Sequence, residues 1–379
     1  MPVGVLSAEQ IQRIISDGVL KSDTTVTPRI SPADSAIDAP LGDSMYEMKG
    51  SRRPNAQEPV LDVIQRYKKC AERITLPRDS ATVLKKGSIY LIKLKWSVVL
   101  PAGLHIRATA KSSIGRLDAL VRLVADNEPE FDRVSADKRA DLYVEVAPLT
   151  FPLMIKPDLA LSQLRFMRGN EEWCTVPHGA LVAPFEDPPV LIPPPGGSIK
   201  TSHGDPSGVL LSLNLKPEET TGFIGYCAKN DITTAINPDL KGEYAAEDFW
   251  SPVQPGPADS VTIERDRFYI FRSVERFRVP EHLSVDCQAY SEGLGDIRIH
   301  YAGFAHPFFG DGHPKGGAPL IFEVRGHSVD TILRHGDSLA KVYFRRMSTP
   351  AKPPSDPSPY SNQELTLSRC FRPWTPAQP

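Results

Sequence analysis

Short runs of alternating apolar and polar residues recur along most of the chain. SIYLIKLKWSVVL (88–100), RFYIFRSVERFRV (267–279) and APLIFEV (318–324) are bounded by Pro, Gly and Asp. A period of two between turn residues predicts strands, and many such runs predict an all-β sandwich or barrel. Two helices are predicted near the start. Ser7 to Gln10 reads as a capping box, followed by a stripe of Ile11, Ile14 and Ile15 and by Gly18 as a stop. Pro59 to about Ala71, with Val60, Ile64 and Tyr67 on one face, reads as the second.

FEDPPVLIPPPGGSIKTSHGDPSG (185–208) interrupts this pattern. Its proline runs resist both helix and central strand, so it predicts a stiff, extended linker. TPAKPPSDPSP (349–359) is a second such stretch. The expected organisation is a first domain at 1–185, a linker at 186–207, a second domain at 208–348 and a tail at 349–379. The two domains look alike. Tyr90 and Tyr269, Pro101 and Pro280, Leu104 and Leu283, Ala110 and Ala289, and Ser112 and Ser291 all differ by 179 positions. A one-residue change then aligns Glu145 with Glu323 and Phe166 with Phe344 at 178. A constant offset through strands and turns predicts a duplicated domain.

Composition narrows the function. A chain of 379 residues with 40% hydrophobic and 24% charged content can bury two ordinary cores. A net charge of -2 argues against a general nucleic-acid binder but not against a small anionic ligand. No run of about 18 apolar residues predicts a membrane helix, and MPVGVLSAEQIQ does not read as a signal peptide. The five cysteines (Cys70, Cys174, Cys227, Cys287, Cys370) are widely spaced, so neither a disulfide framework nor a structural zinc site is expected, and a reducing cytoplasm fits. A zinc nucleobase deaminase would need H-x-E and C-x-x-C, and neither occurs.

The sharpest local motif is Ala110-Lys111-Ser112-Ser113-Ile114-Gly115-Arg116, after an apolar strand, a Pro-Ala-Gly turn and a further short strand. Two hydroxyls and a lysine at the start of a helical turn suit phosphate oxygens. Arg116, four residues after Ser112, falls on the same face. An ordinary polar turn with a serine cap has the same composition.

In context, PAGLHIRATAKSSIGRL resembles the dCTP deaminase family, which carries a Pro-x-x-Leu turn and a K/R-S-S-L-x-R-L segment in that order. Leu6 to Gly18 resembles that family's N-terminal helix. Ile37-Asp38 through Leu41-Gly42 resembles its S-I-D-L-R-L-G strand, with Ala39 and Pro40 departing. Val144-Glu145-Val146 resembles its L-E-F strand, and Met154 to Phe166 its closing segment. The resemblance implies a mainly β chain of two tandem dUTPase-like distorted β-barrel (jelly-roll-like) domains with a few short helices. It also implies metal-free hydrolysis of dCTP to dUTP and ammonia. The catalytic roles fall to Glu145, Ser112 and Arg116, with Ala125 as the carbonyl that helps hold the water. Lys111 and Ser113 join in binding phosphate, and Mg²⁺ arrives only with the triphosphate. Tyr360 to Ser368 resembles the family tail that folds over nucleotide, which brings in Tyr360 and Gln363. Family members form trimers with sites between subunits, so a trimer-based homo-oligomer is expected.

The departures leave alternatives open. The family's H-x-I-D-P-G-W-x-G-like loop is replaced by Ala125-Asp126-Asn127-Glu128-Pro129-Glu130-Phe131-Asp132-Arg133 and a charged insertion, SADKRA (135–140). In the second half, Tyr290, Glu292 and Gly295 stand opposite Lys111, Ser113 and Arg116. Only the first half is therefore expected to clamp a triphosphate. Glu323 and His306 are the second-half candidates. A dUTP diphosphatase would need an aspartate in a G-x-I-D-x-x-Y-x-G-like hairpin, which neither half shows. A bifunctional enzyme and a non-catalytic nucleotide-binding homologue are the remaining readings.

Overall fold

A computed structural model describes residues 2–22, 30–31, 33–67, 71–181, 190–193, 197–202, 204–289, 297–299, 303–355 and 358–374. Cys70, Tyr290, Ser291, Glu292, Gly295 and, of the expected linker, residues 186–189, 194–196 and 203 lie outside them. The chain divides into two compact units. The first holds 1–174 with 233–239 and 346–355, and the second holds 175–232, 240–345 and 356–379.

The first unit is mainly β, as the alternation predicts. Its principal strands are β1 (Ile37–Met48), β2 (Ile89–Leu100), β3 (Leu104–Ala110), β4 (Ala119–Ala125), β5 (Arg133–Val134), β6 (Lys138–Pro148) and β7 (Ala160–Arg168). They form one antiparallel sheet in the order β4-β6-β2-β1-β7-β3-β5. Curled on itself as a distorted barrel, the sheet buries Ile92, Leu94, Val144, Val146, Leu164 and Phe166. Ser348 closes this unit, its amide donating to the Val5 carbonyl at 2.7 Å. Ile236 likewise exchanges backbone bonds of 2.8 Å with Pro152 and Met154.

Helix α1 (Ala8–Ser16) starts and stops where its sequence says. The Ser7 amide donates to Gln10 Oε1 at 3.0 Å, and Gly18 takes φ +74°, a conformation that costs glycine little. Helix α2 (Val60–Arg66) is shorter than expected. Ala71, the expected end, opens a strand (Ala71–Thr75) that pairs with β1. Its backbone donors and acceptors are taken up by the sheet, and this outweighs the apolar stripe.

The second unit repeats the first. Its principal strands are β8 (Asp205–Asn214), β9 (Gly225–Ala228), β10 (Phe268–Phe277), β11 (Leu283–Ala289), β12 (Ala318–Gly326) and β13 (Ser338–Arg346). The order β12-β10-β8-β13-β11 matches β6-β2-β1-β7-β3 strand for strand. The likeness extends to hydrogen bonds. The Tyr90 hydroxyl accepts the Lys85 amide at 3.0 Å, and the Tyr269 hydroxyl accepts the Glu264 amide at 3.2 Å. Leu104 and Leu283 each donate to the proline three residues back at 3.2 Å. Glu145 stands opposite Leu91, and Glu323 opposite Ile270.

Because both tyrosines are buried, deleting either hydroxyl leaves a backbone donor short of its partner. Tyr90→Phe and Tyr269→Phe should each cost about 1–2 kcal/mol in the unit that carries the change, measured by urea denaturation. A loss at one position only would contradict the equivalence of the two units.

Candidate active site

Glu145 lies midway along β6 with 4% of its surface exposed. It belongs to the outer face of its strand. Val144 and Val146 point to the barrel interior, while Tyr143 and Glu145 face the other way. The neighbour opposite on β4 is Arg122, whose Nη2 bonds Glu145 Oε1. Arg122 also donates to Ser51 at 3.1 Å and lies over Phe131, 3.8 Å from the ring centroid. Val60 and Ile64 of α2 pack on the same face with Leu91, Val124 and Tyr143. A buried carboxylate is thus held by one guanidinium, itself fixed by an aromatic ring, under a helical cover.

Asp132 completes this cluster. Its carboxylate accepts the Leu123 amide at 2.7 Å, and its main chain bonds Leu123 and Ala108. Close packing around it pushes the carboxyl up to about 7. The Leu123 amide, Arg122 and Arg107 pull the other way, and nearby Glu145 adds to the rise. The sequence points to the 125–133 loop, but neither to Phe131 and Asp132 individually nor to Arg122 on the strand before it. The charged insertion serves that loop. Lys138 bonds the Asn127 carbonyl at 2.6 Å and Glu128 at 3.2 Å, and Glu128 also accepts the Ser135 amide at 2.8 Å.

The segment from Lys111 to Arg116 sits at the start of the same hairpin. Ser112–Gly115 form a single helical turn, α3, directly before β4. Ser112 is half-buried, Ser113 and Arg116 are buried, and Lys111 is paired with Asp38 of β1. Asp118 ties the turn to the end of β6, its carboxylate accepting the Thr150 hydroxyl at 2.5 Å. Ala119 faces Pro148, whereas Arg122 faces Glu145. Three residues of strand, about 10 Å, therefore separate the start of β4 from the carboxylate. Ala125 is fully buried opposite Leu142, and its carbonyl accepts the Glu128 amide at 3.3 Å.

In the second unit Glu323 occupies the equivalent place and is buried to 1%. Cys287 lies close enough for that carboxylate, after burial itself, to raise its thiol to about 12. His306 is half-buried beside the short strand that pairs with β11. Here the cover is the C-terminal tail. Glu364 bonds Arg272 at 2.8 Å and Arg276 at 2.6 Å and lies 3.4 Å from His313. Burial raises the Glu364 carboxyl, but the two guanidinium groups outweigh it and hold it below the usual range. Gln363 donates to the Pro319 carbonyl at 3.0 Å, and the Tyr360 hydroxyl accepts the Arg369 amide at 2.9 Å. Both tail candidates are thus engaged within their own unit. No group of three or more His, Cys, Asp or Glu side chains suited to a metal converges among the described residues, and no helix there is long and apolar enough to cross a membrane.

The Asp132 shift carries a sign for stability. Its folded-state pKa of about 7 lies above the ordinary 3.8, so the folded chain binds a proton that the unfolded chain releases. The stabilisation is complete at low pH and is lost as pH rises through about 7. Asp132→Asn keeps the acceptor for Leu123 but cannot ionise. Its urea midpoint should exceed the wild-type value at pH 8.5 and approach it at pH 4. A variant weaker than wild type at pH 8.5 would contradict this environment.

Comparison with known proteins accords with this geometry. The profile of the 2′-deoxycytidine 5′-triphosphate deaminase (DCD) N-terminal domain matches residues 2–170, and that of the C-terminal domain matches 198–371. A crystal structure of 2′-deoxycytidine 5′-triphosphate deaminase from Agrobacterium tumefaciens superposes with a TM-score of 0.81 at 28% identity, covering 93% of this chain and 100% of that one. An anti-sigma factor domain-containing protein reaches only a TM-score of 0.15 at 8% identity, covering 88% of this chain and 99% of that one, and carries no argument. No curated protein sequence matches. With one family domain in each half and that fold throughout, the chain belongs to the dCTP deaminase family.

Proposed function

We propose that the chain hydrolyses dCTP to dUTP and ammonia with no protein-bound metal, and that Glu145 moves the protons. The observation that carries this reading is the buried Glu145 carboxylate fixed by Arg122 on a face roofed by α2. Hydrolytic deamination adds water across the C4–N3 bond of the base and then expels ammonia from C4. One carboxylate serves both stages. It takes a proton from the attacking water and gives it to N3, where it stays; it then takes the proton of the new C4 hydroxyl and gives it to the amine, which leaves as ammonia while the C4 carbonyl forms. Arg122 leaves the second oxygen of Glu145 to do this. Ser112 and Arg116 serve the substrate from the other end of the hairpin. The roughly 10 Å of strand between the two ends is of the order of a nucleotide's length from base to phosphates. Mg²⁺ would accompany the triphosphate as its counterion. A trimer-based assembly, placing subunits side by side, would complete the pocket walls.

Asp132 favours a second reading, in which diphosphate release follows deamination. It is a further carboxylate beside the same arginine, and it titrates near 7, where a group can both accept and return a proton.

Glu145→Gln preserves size and the Arg122 contact but removes the base. Its turnover of dCTP should fall roughly 10²–10⁴-fold, with binding largely kept. Glu323→Gln, assayed alongside, should retain most activity. If Glu323→Gln is dead while Glu145→Gln is near wild type, the reaction belongs to the second unit.

A further inference from the structure

The first unit carries a second cationic site, at the far end of β3 from segment 111–116. β3 pairs on one side with β7 and on the other with β5. Arg165, Arg107 and Arg133 fall in register across the three strands, directly opposite one another. Residues opposite each other in an antiparallel pair share a face, and like charges there repel. Such a ladder persists only with compensating anions. Glu171 of the short helix α4 (Glu171–Cys174) bonds Arg107 Nε at 2.6 Å. Glu130 lies 3.5 Å from Arg133, at the limit of contact, with the Glu130 side chain largely exposed and that of Arg133 half-buried. The buried Arg133 Nε meets no acceptor among the described residues.

Between these groups lies an open cleft of about 410 Å³ lined by His105, Arg107, Arg133, Asn170 and Glu171, with Gly103 and Gly169 at its rim. Both glycines have positive φ, +75° and +85°, and the Gly169 amide donates to the Gly103 carbonyl at 3.0 Å. Two guanidinium groups line the cleft with one carboxylate, Glu171, while the second carboxylate near them, Glu130, lies outside the lining and reaches Arg133 only at 3.5 Å. Planar guanidinium forks match phosphate oxygens in pairs. The volume exceeds what a phosphate ion alone needs and accommodates an attached organic group.

We propose that this cleft binds a small phosphorylated molecule, with its phosphate between Arg107 and Arg133 and Glu171 setting the affinity by competing for Arg107. The cleft's lining includes neither Ser112 nor Glu145, and the inference does not depend on the deamination reading.

Isothermal titration of the full chain with inorganic phosphate and with ribose 5-phosphate tests it, since neither probe carries a pyrimidine. Arg133→Gln should weaken both at least 10-fold, and Arg133→Lys, which keeps the charge, should weaken them less. Glu171→Gln should bind several-fold tighter, a gain that misfolding cannot produce. Equal affinity for the two probes identifies free phosphate as the ligand, and tighter ribose 5-phosphate binding identifies an ester. The proposal fails if wild type binds neither probe. It also fails if Arg133→Gln leaves the affinities unchanged while Arg116→Ala abolishes them.

Discussion

Burying Glu145 in the middle of a strand obliges the first unit to bury a cation beside it. A carboxylate removed from water without a partner costs several kcal/mol, more than most domains can spare. Arg122 meets the demand because β4 and β6 are joined in one register, with Arg122 opposite Glu145. A slip of β6 by one residue would turn Glu145 into the barrel interior and leave Arg122 outside without it. Register, ion pair and apolar core are therefore a single constraint. The loop follows from it. Phe131 lies over the Arg122 guanidinium, Asp132 is bonded to Leu123, and α2 roofs the face.

The second unit shows how the same constraint was met after duplication. Strand order, the tyrosine hooks and the buried glutamate are retained. The cover has changed. Where the first unit uses α2, the second uses the tail, fastened through Glu364 to Arg272 and Arg276 of β10. Arg272 shares its face with Glu323, since Ile270 pairs with Glu323 and Arg272 with Ile321. The second unit also places cations near its buried glutamate. Its arginines stand on another strand, and a carboxylate of the chain itself occupies them.

Much of this was legible in the sequence. Period-two runs located β2, β10 and β12, and the capping box located α1, because strand and helix faces depend on local order. The constant offset revealed the duplication. Long-range pairings were not legible. Arg122 looks like one polar position in an apolar strand until the hairpin register sets it against Glu145. Asp132 looks like a loop carboxylate until the loop folds back onto Leu123. Glu364 has its partners some 90 residues earlier in the chain, which no local pattern announces. Helix α2 was overdrawn because Ala71 is claimed by pairing with β1, and a stripe of apolar residues does not report that competition.

The central claim is that the buried carboxylate of the first unit serves hydrolysis at the base. Product analysis tests it most directly: purified wild-type chain is incubated with dCTP and Mg²⁺, and ammonia, dUTP, dUMP and diphosphate are quantified together. The account predicts one ammonia per dCTP consumed, with dUTP as the first nucleotide product. Consumption of dCTP to dCMP and diphosphate without ammonia, or no consumption at all, would contradict it.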